Sequence, residues 1–203
     1  MTVQPHPEPP PDLPAHELPL VTLEQPWWRF HQCRFGAVHF GRSGNSRFDP
    51  PQGPQGTYSV LYAATDVHGA FIETLGRVTG QNRVDMQTLR DICLALLETA
   101  RPLNLVDLPG AGLARIGADA RLCTMDDYAL CGRWALALWG HPQQPDGLYY
   151  RARHDQQRLS LALFDRDEIV NAVHDYAHGP LADPKHATLL GDILDTYRFQ
   201  LIP

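Results

Sequence analysis

The chain has 203 residues, enough for one domain of ordinary size with a tail, and 43% of them are apolar, so that it can bury a core of its own. Its 17 basic and 23 acidic side chains give a net charge of −6, which argues against direct binding of nucleic acid, because that task needs a basic surface. No apolar run approaches the ~20 residues of a membrane-spanning helix and no secretory leader is recognisable, so we expect a soluble cytoplasmic protein.

The first 20 residues are rich in proline, with seven prolines between Pro5 and Pro19. Proline lacks the amide hydrogen and favours extended conformations over packed structure. We therefore predict that residues 1–20 form a flexible or loosely docked arm, which could serve as a proline-rich ligand but is more simply a tail. Residues 21–203 then form a single domain, because no second linker interrupts them.

The next segments predict a loop, a strand and a helix. Residues 41–56 hold four glycines and three prolines, a composition typical of a loop. Residues 58–64 form an apolar run that indicates a buried strand. Asp66 is suited to cap the helix that follows, because its carboxylate can accept hydrogen bonds from first-turn amides. That helix carries an apolar stripe that ends at Val78, with Glu73 in its second turn.

The second half alternates helices and strands in an irregular order. The apolar pattern predicts helices over residues 86–99 and 124–139 and strands over residues 103–108, 147–153 and 159–164. Thr124 is the expected cap of the second helix, and Gly140 follows its end. This irregular order favours an α+β fold over a regular series of βαβ units.

Several common site motifs are absent from the sequence. It has no P-loop and no G-x-S-x-G elbow, and Gly110 and Gly112 are followed by Arg115 where a dinucleotide fingerprint needs a third glycine. None of the four cysteines forms a C-x-x-C pair, and the chain is not a small disulfide scaffold. His174 and His178 have a metal-ligand spacing but no third ligand, so we expect a polar surface helix there and no metal.

Four side chains in the first half have chemistry suited to a phosphorylated ligand. Arg29 lies within an aromatic cluster, and Arg47 follows a glycine-rich segment. Tyr62 lies near the end of the apolar strand, and Glu73 is the only charged residue between residues 71 and 75. Taken singly, each has an ordinary explanation, such as a surface ion pair, a core anchor or a solvated helix face.

Taken in order, several segments resemble the RES domain, the toxin of a widespread class of bacterial toxin–antitoxin systems. The resemblance spans residues 27–166 and is carried by residues 47–49, 60–65, 69–75, 101–108, 146–154 and 162–166. No single segment is decisive, but their order is that of the family. By motif position, the two arginines, the tyrosine and the glutamate of the family fall on Arg29, Arg47, Tyr62 and Glu73.

The resemblance implies an α+β fold like that of ADP-ribosyltransferase toxins, with a split β-sheet core, surrounding helices and NAD bound in the cleft. It implies an enzyme that breaks the nicotinamide–ribose bond of NAD and so depletes it, with phosphate, water or a protein as acceptor. NAD is then the substrate, inorganic phosphate a candidate co-substrate, and no metal is needed. The implied partner is a helix-turn-helix antitoxin that blocks the cleft.

The residue types suit this reaction, in which positive charge develops on the ribose as neutral nicotinamide leaves. A carboxylate beside the ribose stabilises that charge, the role expected for Glu73. Arginine presents a planar fork of donors to phosphate oxygens, so Arg29 and Arg47 are expected to hold the pyrophosphate or an incoming phosphate. Tyr62 is expected to stack on nicotinamide.

One position departs from the family pattern. Where the family has serine in a Tyr-Arg-Ser-Arg-His strand, this chain has Ala152, which cannot hydrogen-bond a substrate. A water molecule or the nearby Ser160 could take the place of that hydroxyl. Two alternatives therefore stay open beside the NAD-depleting toxin: an ADP-ribosyltransferase that modifies a specific protein, and a catalytically impaired member that acts as a binding module.

Overall fold

A computed structural model of the chain describes residues 5–203. These residues form ten strands and seven α-helices. The strands are β1 (Leu20–Leu23), β2 (Trp27–Gln32), β3 (Val60–Ala64), β4 (Arg83–Asp85), β5 (Ile92–Thr99), β6 (Leu103–Asp107), β7 (Gly147–Arg151), β8 (Leu159–Phe164), β9 (Val173–Pro180) and β10 (Gln200–Ile202). The helices are α1 (Val67–Leu75), α2 (Met86–Asp91), α3 (Gly112–Arg115), α4 (Arg121–Thr124), α5 (Tyr128–Trp139), α6 (Asp167–Ala172) and α7 (Ala187–Tyr197).

Eight strands form one mixed sheet that is nearly divided in two. Their order is β1-β6-β7-β8-β3-β2-β5-β9, and β10 pairs with β4 outside it. Between β3 and β2 the register holds a single residue pair, Trp28 with Ala64, whereas β2 and β5 are paired along six residues. A five-strand part and a three-strand part therefore diverge from one narrow junction, which opens a cleft between them.

The sheet is covered on both faces, which explains its apolar strands. On one face, α5 packs over β7, β8 and β3, and its Trp134 and Leu138 are fully buried there. On the same face, beyond the junction, α1 and α7 enclose a second cluster around Phe71 and Ile193. The opposite face forms a third cluster, which includes Leu61 and Leu163. Alternate residues of β3 and β8 thus face the cleft side or the back of the sheet.

The predicted α+β class and most of the elements are confirmed, with small shifts at their ends. Asp66 caps α1 as predicted, its carboxylate accepting a hydrogen bond of 3.0 Å from the amide of Gly69. The helix ends at Leu75, so Val78 lies beyond it and is exposed. The helix predicted over residues 124–139 begins only at Tyr128, because Asp127 rather than Thr124 accepts the capping bond, from the amide of Leu130.

One predicted helix is right only for its first half, and a second is wrong. Residues 86–99 form α2 and then β5, which lies between β2 and β9 and is buried on both faces. A strand buried on both faces has a continuous apolar run, which periodicity does not distinguish from a buried helix. The expected surface helix around His174 and His178 is instead β9, the edge strand paired with β5.

The proline-rich segment, predicted as a flexible or loosely docked arm, lies from Pro5 onward against α5. We call residues 5–19 the N-terminal strap. The indole Nε1 of Trp134 donates to the carbonyl of Pro7 at 2.9 Å, and Leu13 is 1% exposed. The strap then leads into β1, which pairs with β6 at the edge of the sheet. The part of the arm prediction that concerns residues 1–4 lies outside the described residues.

Two further features concern the chain as a whole. Cys33, just after β2, forms a disulfide with Cys93 of β5, a pairing that the sequence spacing did not predict. Within residues 5–203 no helix combines the length and the apolar character that crossing a membrane requires.

Candidate active site

The junction between β3 and β2 opens into a cleft that contains all four candidate residues. Arg29, Arg47, Tyr62 and Glu73 line it, and it encloses about 1100 Å³ of space that is open to solvent. Residues up to 44 positions apart in the chain thus share one hollow, because β2 and β3, which carry Arg29 and Tyr62, diverge at this point.

Arg29 extends from β2 into the cleft, and only some of its N–H donors have hydrogen-bond partners. Its Nη2 donates to the backbone carbonyl of His39 at 3.0 Å, whereas its buried Nη1 has no partner among the described residues. Burial lowers the pKa of Arg29 to about 10, so the guanidinium still carries its charge at neutral pH. None of the ion pairs within residues 5–203 includes it. A buried cation in this condition favours an anionic ligand.

Arg47 enters from the loop that precedes β3 and is 8% exposed. Its Nη1 donates to the carbonyl of Met125, and its guanidinium carbon lies 5.0 Å from the centre of the Tyr128 ring. Among the described residues no carboxylate forms an ion pair with Arg47 either. The cleft therefore contains two arginines that form no ion pair within the described residues.

Asp49 holds this loop in place, a role that the sequence analysis did not assign. Its carboxylate accepts hydrogen bonds from the Gly44 amide at 3.0 Å and from the Ser43 and Tyr62 hydroxyls, both at 3.1 Å. Gly132 of α5 lets the loop approach, because a Cβ there would lie 2.7 Å from the carbonyl oxygen of Asp49. The turn-rich composition before Asp49 is a signal for such side-chain bonds to loop amides.

Tyr62 presents its ring and not its hydroxyl to a ligand. The hydroxyl donates to Asp49 and accepts from the Phe48 amide at 2.9 Å, so both of its hydrogen-bonding functions are used. Burial, together with the nearby charge of Asp49, keeps the pKa of Tyr62 well above its usual value. The phenol is therefore protonated and fixed, which leaves stacking as the interaction it offers.

Glu73 reaches the cleft from α1. Its Oε1 accepts a hydrogen bond of 2.8 Å from the amide of Arg153, which follows Ala152 just after the end of β7. Burial raises the pKa of Glu73, although the Arg153 amide and the positive charge of Arg47 act in the opposite direction. The group is thus a half-buried carboxylate among cations, oriented by a backbone amide.

The cleft includes further polar residues that the sequence analysis gave no role. Arg153 pairs with Asp126, and the Nε of Arg77 donates to the backbone carbonyl of Glu73 at 3.1 Å. Burial, and then the charges of Arg153 and Arg47, lower the pKa of His154, so its ring is neutral at pH 7. The lining as a whole suits a ligand that combines anionic groups with an aromatic ring. Within residues 5–203 no group of three His, Cys, Asp or Glu side chains could hold a metal ion.

Comparison with known proteins gives a consistent result. The model of the RES domain family matches residues 26–183 of the chain. "Probable toxin y4kH" of Sinorhizobium fredii (strain NBRC 101917 / NGR234) is 28% identical over 123 residues, which cover 61% of this chain and 93% of the relative. A chain of the M. tuberculosis MbcT-MbcA toxin–antitoxin complex is similar with a TM-score of 0.57 and 15% identity, over 83% of this chain and 92% of that one. This second likeness concerns the fold alone and confirms the predicted ADP-ribosyltransferase-like arrangement.

Proposed function

The chain belongs to the RES domain family, and on that premise we propose that it is the toxin of a toxin–antitoxin pair and that it consumes NAD by cleaving the nicotinamide–ribose bond. One observation carries the proposal. A half-buried arginine, Arg29, a buried one, Arg47, neither in an ion pair within the described residues, a phenol ring and a half-buried carboxylate line one cleft. NAD has a matching set of groups, which are a pyrophosphate, an aromatic ring and a ribose that becomes cationic during cleavage.

Arg29 and Arg47 bind the pyrophosphate in this proposal. Each has N–H donors that the protein itself does not pair with a carboxylate, and the planar guanidinium matches two phosphate oxygens at once. Because Nη1 of Arg29 is shielded from water, its interaction with a phosphate is stronger than that of an exposed arginine. A second anion, inorganic phosphate, would find the same donors if it is the acceptor.

Tyr62 and Glu73 act at the end of the substrate that reacts. The ring of Tyr62 stacks on nicotinamide, since its hydroxyl is held by Asp49 and Phe48. As the bond between ribose C1′ and the nicotinamide nitrogen breaks, both of its electrons leave with nicotinamide. The carboxylate of Glu73 stabilises the positive charge left on the ribose. An oxygen of phosphate or water then bonds to C1′ and gives up its proton.

The partner in this proposal is an antitoxin of the helix-turn-helix type that covers the cleft. The structural relative comes from a complex described as a toxin–antitoxin pair, and the curated relative is described as a probable toxin. The unpaired cations of the cleft suit a partner that inserts an acidic side chain or a chain terminus. The cytoplasm, where NAD is abundant, is the compartment in which such a pair would act.

The decisive experiment incubates the purified chain with NAD and measures the release of nicotinamide. Release of nicotinamide by the wild type, and its loss when Glu73 is changed to glutamine, are the expected results. ADP-ribose as the second product identifies water as the acceptor, and ADP-ribose 1″-phosphate identifies phosphate.

Two other outcomes would replace this proposal by one of its alternatives. Label from NAD that appears on one protein band of a cell extract would indicate an ADP-ribosyltransferase with a protein substrate. Binding of NAD without any turnover would indicate the binding module that Ala152 suggests.

A further inference from the structure

Ser160 carries a hydroxyl group that the folded protein leaves without a hydrogen bond. The residue is 1% exposed, and its Oγ is one of five buried side-chain polar atoms that lack a partner among the described residues. Two of these five, Ser160 Oγ and Arg29 Nη1, belong to residues that line the cleft. Buried polar atoms are nearly always paired, because an unpaired one is destabilising. An unpaired hydroxyl on the wall of a cleft therefore points to a ligand.

The sheet register places Ser160 diagonally across from Ala152, at the end of the strand pair that leads to the Arg153 amide. Ser160 of β8 lies opposite Tyr150 of β7, and the Ala152 amide donates to the Arg158 carbonyl at 2.9 Å. Ala152 follows Tyr150, the residue opposite Ser160, by two positions. Ala152 and Ser160 are therefore diagonal neighbours on the same face of the sheet. Such diagonal neighbours are about 7–8 Å apart, within the span of one sugar ring and its hydroxyls.

The same register brings Ser160 near the carboxylate. Glu73 accepts its hydrogen bond from the amide of Arg153, the residue that follows Ala152. On the other side, Ser160 lies opposite Ala64, the residue that forms the junction with Trp28. The unpaired hydroxyl therefore belongs to the part of the cleft where the sheet divides and where Glu73 is fixed.

We propose that Ser160 is a substrate-binding residue, whose hydroxyl exchanges a hydrogen bond with the ribose end of the bound dinucleotide. This inference rests on the proposed function, since it names a further contact for the same substrate. It explains why the cleft keeps a buried hydroxyl that stabilises nothing in the free protein.

The test measures NAD binding in the Glu73→Gln variant, so that the substrate is not consumed. Adding Ser160→Ala is expected to raise the Kd for NAD about tenfold, the effect of losing one hydrogen bond. Ser59→Ala is the matched control, because Ser59 is also 1% exposed but does not line the cleft. It is expected to leave the Kd unchanged.

The thermal midpoint of the ligand-free protein separates this role from a structural one. Removing an unpaired buried hydroxyl is expected to raise Tm by about 2–4 °C, whereas removing a structural one lowers it. Weaker NAD binding together with a higher Tm supports the proposal. An unchanged Kd in the Ser160→Ala variant overturns it and leaves the proposed function intact, while failure of the Glu73→Gln protein to bind NAD at all overturns both.

Discussion

The N-terminal strap and the cleft both bury polar groups, but only the strap pairs them all within the described residues. The Nε2 of His141 lies 3.2 Å from the Leu13 carbonyl and 3.1 Å from that of His16, and its Nδ1 accepts from the Gln143 amide at 3.1 Å. In the cleft, by contrast, Nη1 of Arg29 and Oγ of Ser160 have no partner.

We interpret this difference as one between groups that stabilise the fold and groups that bind the proposed ligand. A buried polar group with a partner contributes modestly to stability, whereas an unpaired one opposes folding. Proteins retain such unfavourable groups where activity needs them, so that substitutions at a functional site often raise stability and lower activity. We therefore expect substitutions in the strap and in the cleft to have opposite effects on Tm and on turnover.

The largest effect is expected at Glu73. Glu73→Gln keeps the shape of the side chain and its bond to the Arg153 amide but removes the charge that stabilises the transition state in the proposed mechanism. It is expected to lower kcat by about 10²–10³ with little change in NAD binding, measured as nicotinamide release under saturating NAD. The thermal midpoint is expected to stay or rise, because burial already disfavours the charged form. Equal turnover by the variant and the wild type would remove Glu73 from the mechanism.

The pH dependence of turnover tests the role of the Glu73 charge without a mutation. Because burial raises the pKa of Glu73, kcat is expected to fall on the acid side at a higher pH than an ordinary glutamate would give. The free energy of unfolding changes in the opposite direction and rises as the pH falls. Between the ordinary and the raised pKa, the folded protein binds the proton more tightly than the unfolded chain, so lowering the pH through this window stabilises the fold.

The difference between wild type and Glu73→Gln isolates this group, since the pKa of Asp49 is also raised by burial. Turnover and unfolding are measured on both proteins over the same pH range. A stability difference between them that does not vary with pH would contradict a raised pKa at Glu73.

A large effect on stability alone is expected in the strap. Leu13 is buried between the strap and the core, and Leu13→Ala is expected to lower the free energy of unfolding by about 2–5 kcal/mol. Its kcat and KM for NAD are expected to stay at wild-type values below the unfolding transition, because no strap residue lines the cleft. Denaturant unfolding and nicotinamide release measure the two quantities, and a matching loss of turnover would show that the strap supports the cleft.

The sequence was informative for these two regions to different degrees. Arg29, Arg47, Tyr62 and Glu73 could be selected because motif order assigns positions without knowledge of the fold, and the structure brings them to one cleft. The contacts of the strap could not be predicted. Its hydrogen bonds run from backbone carbonyls of a proline-rich segment to side chains more than 100 residues away, as between Pro7 and Trp134. Proline composition reports the missing amides of a segment and says nothing about its carbonyls.

The mispredicted helices have a related cause, which is that contacts distant in the sequence decide their structure. The apolar run of residues 92–97 suits a buried helix as well as a strand covered on both faces, and only its neighbours β2 and β9 decide between them. Asp49 was passed over for the same reason. Its contacts with Ser43 and Gly44 are local, but its bond to Tyr62 becomes visible only when the loop is seen packed on β3.

An intermediate effect is expected at Arg29. Arg29→Met keeps most of the stem but removes a buried charge, so KM for NAD is expected to rise about tenfold to a hundredfold while Tm rises. Arg47→Ala is likewise expected to weaken binding more than turnover. Arg133→Met is the matched control, because Arg133 is paired with Glu8 on the strap at 2.7 Å and lies outside the cleft. An unchanged KM in both cleft variants would contradict the phosphate-binding role.

The smallest effect is expected from a substitution of Glu8, the ion-pair partner of Arg133. Glu8 forms two hydrogen bonds with Arg133, at 2.7 and 2.8 Å, yet more than half of the Glu8 side chain is exposed to water. Exposed ion pairs are screened by solvent and salt. Glu8→Gln is therefore expected to leave Tm and turnover unchanged within error, in a thermal scan at low and at 0.5 M salt. A salt-dependent drop in Tm would mean that charge, rather than the buried contacts of Leu13 and Trp134, attaches the strap to α5.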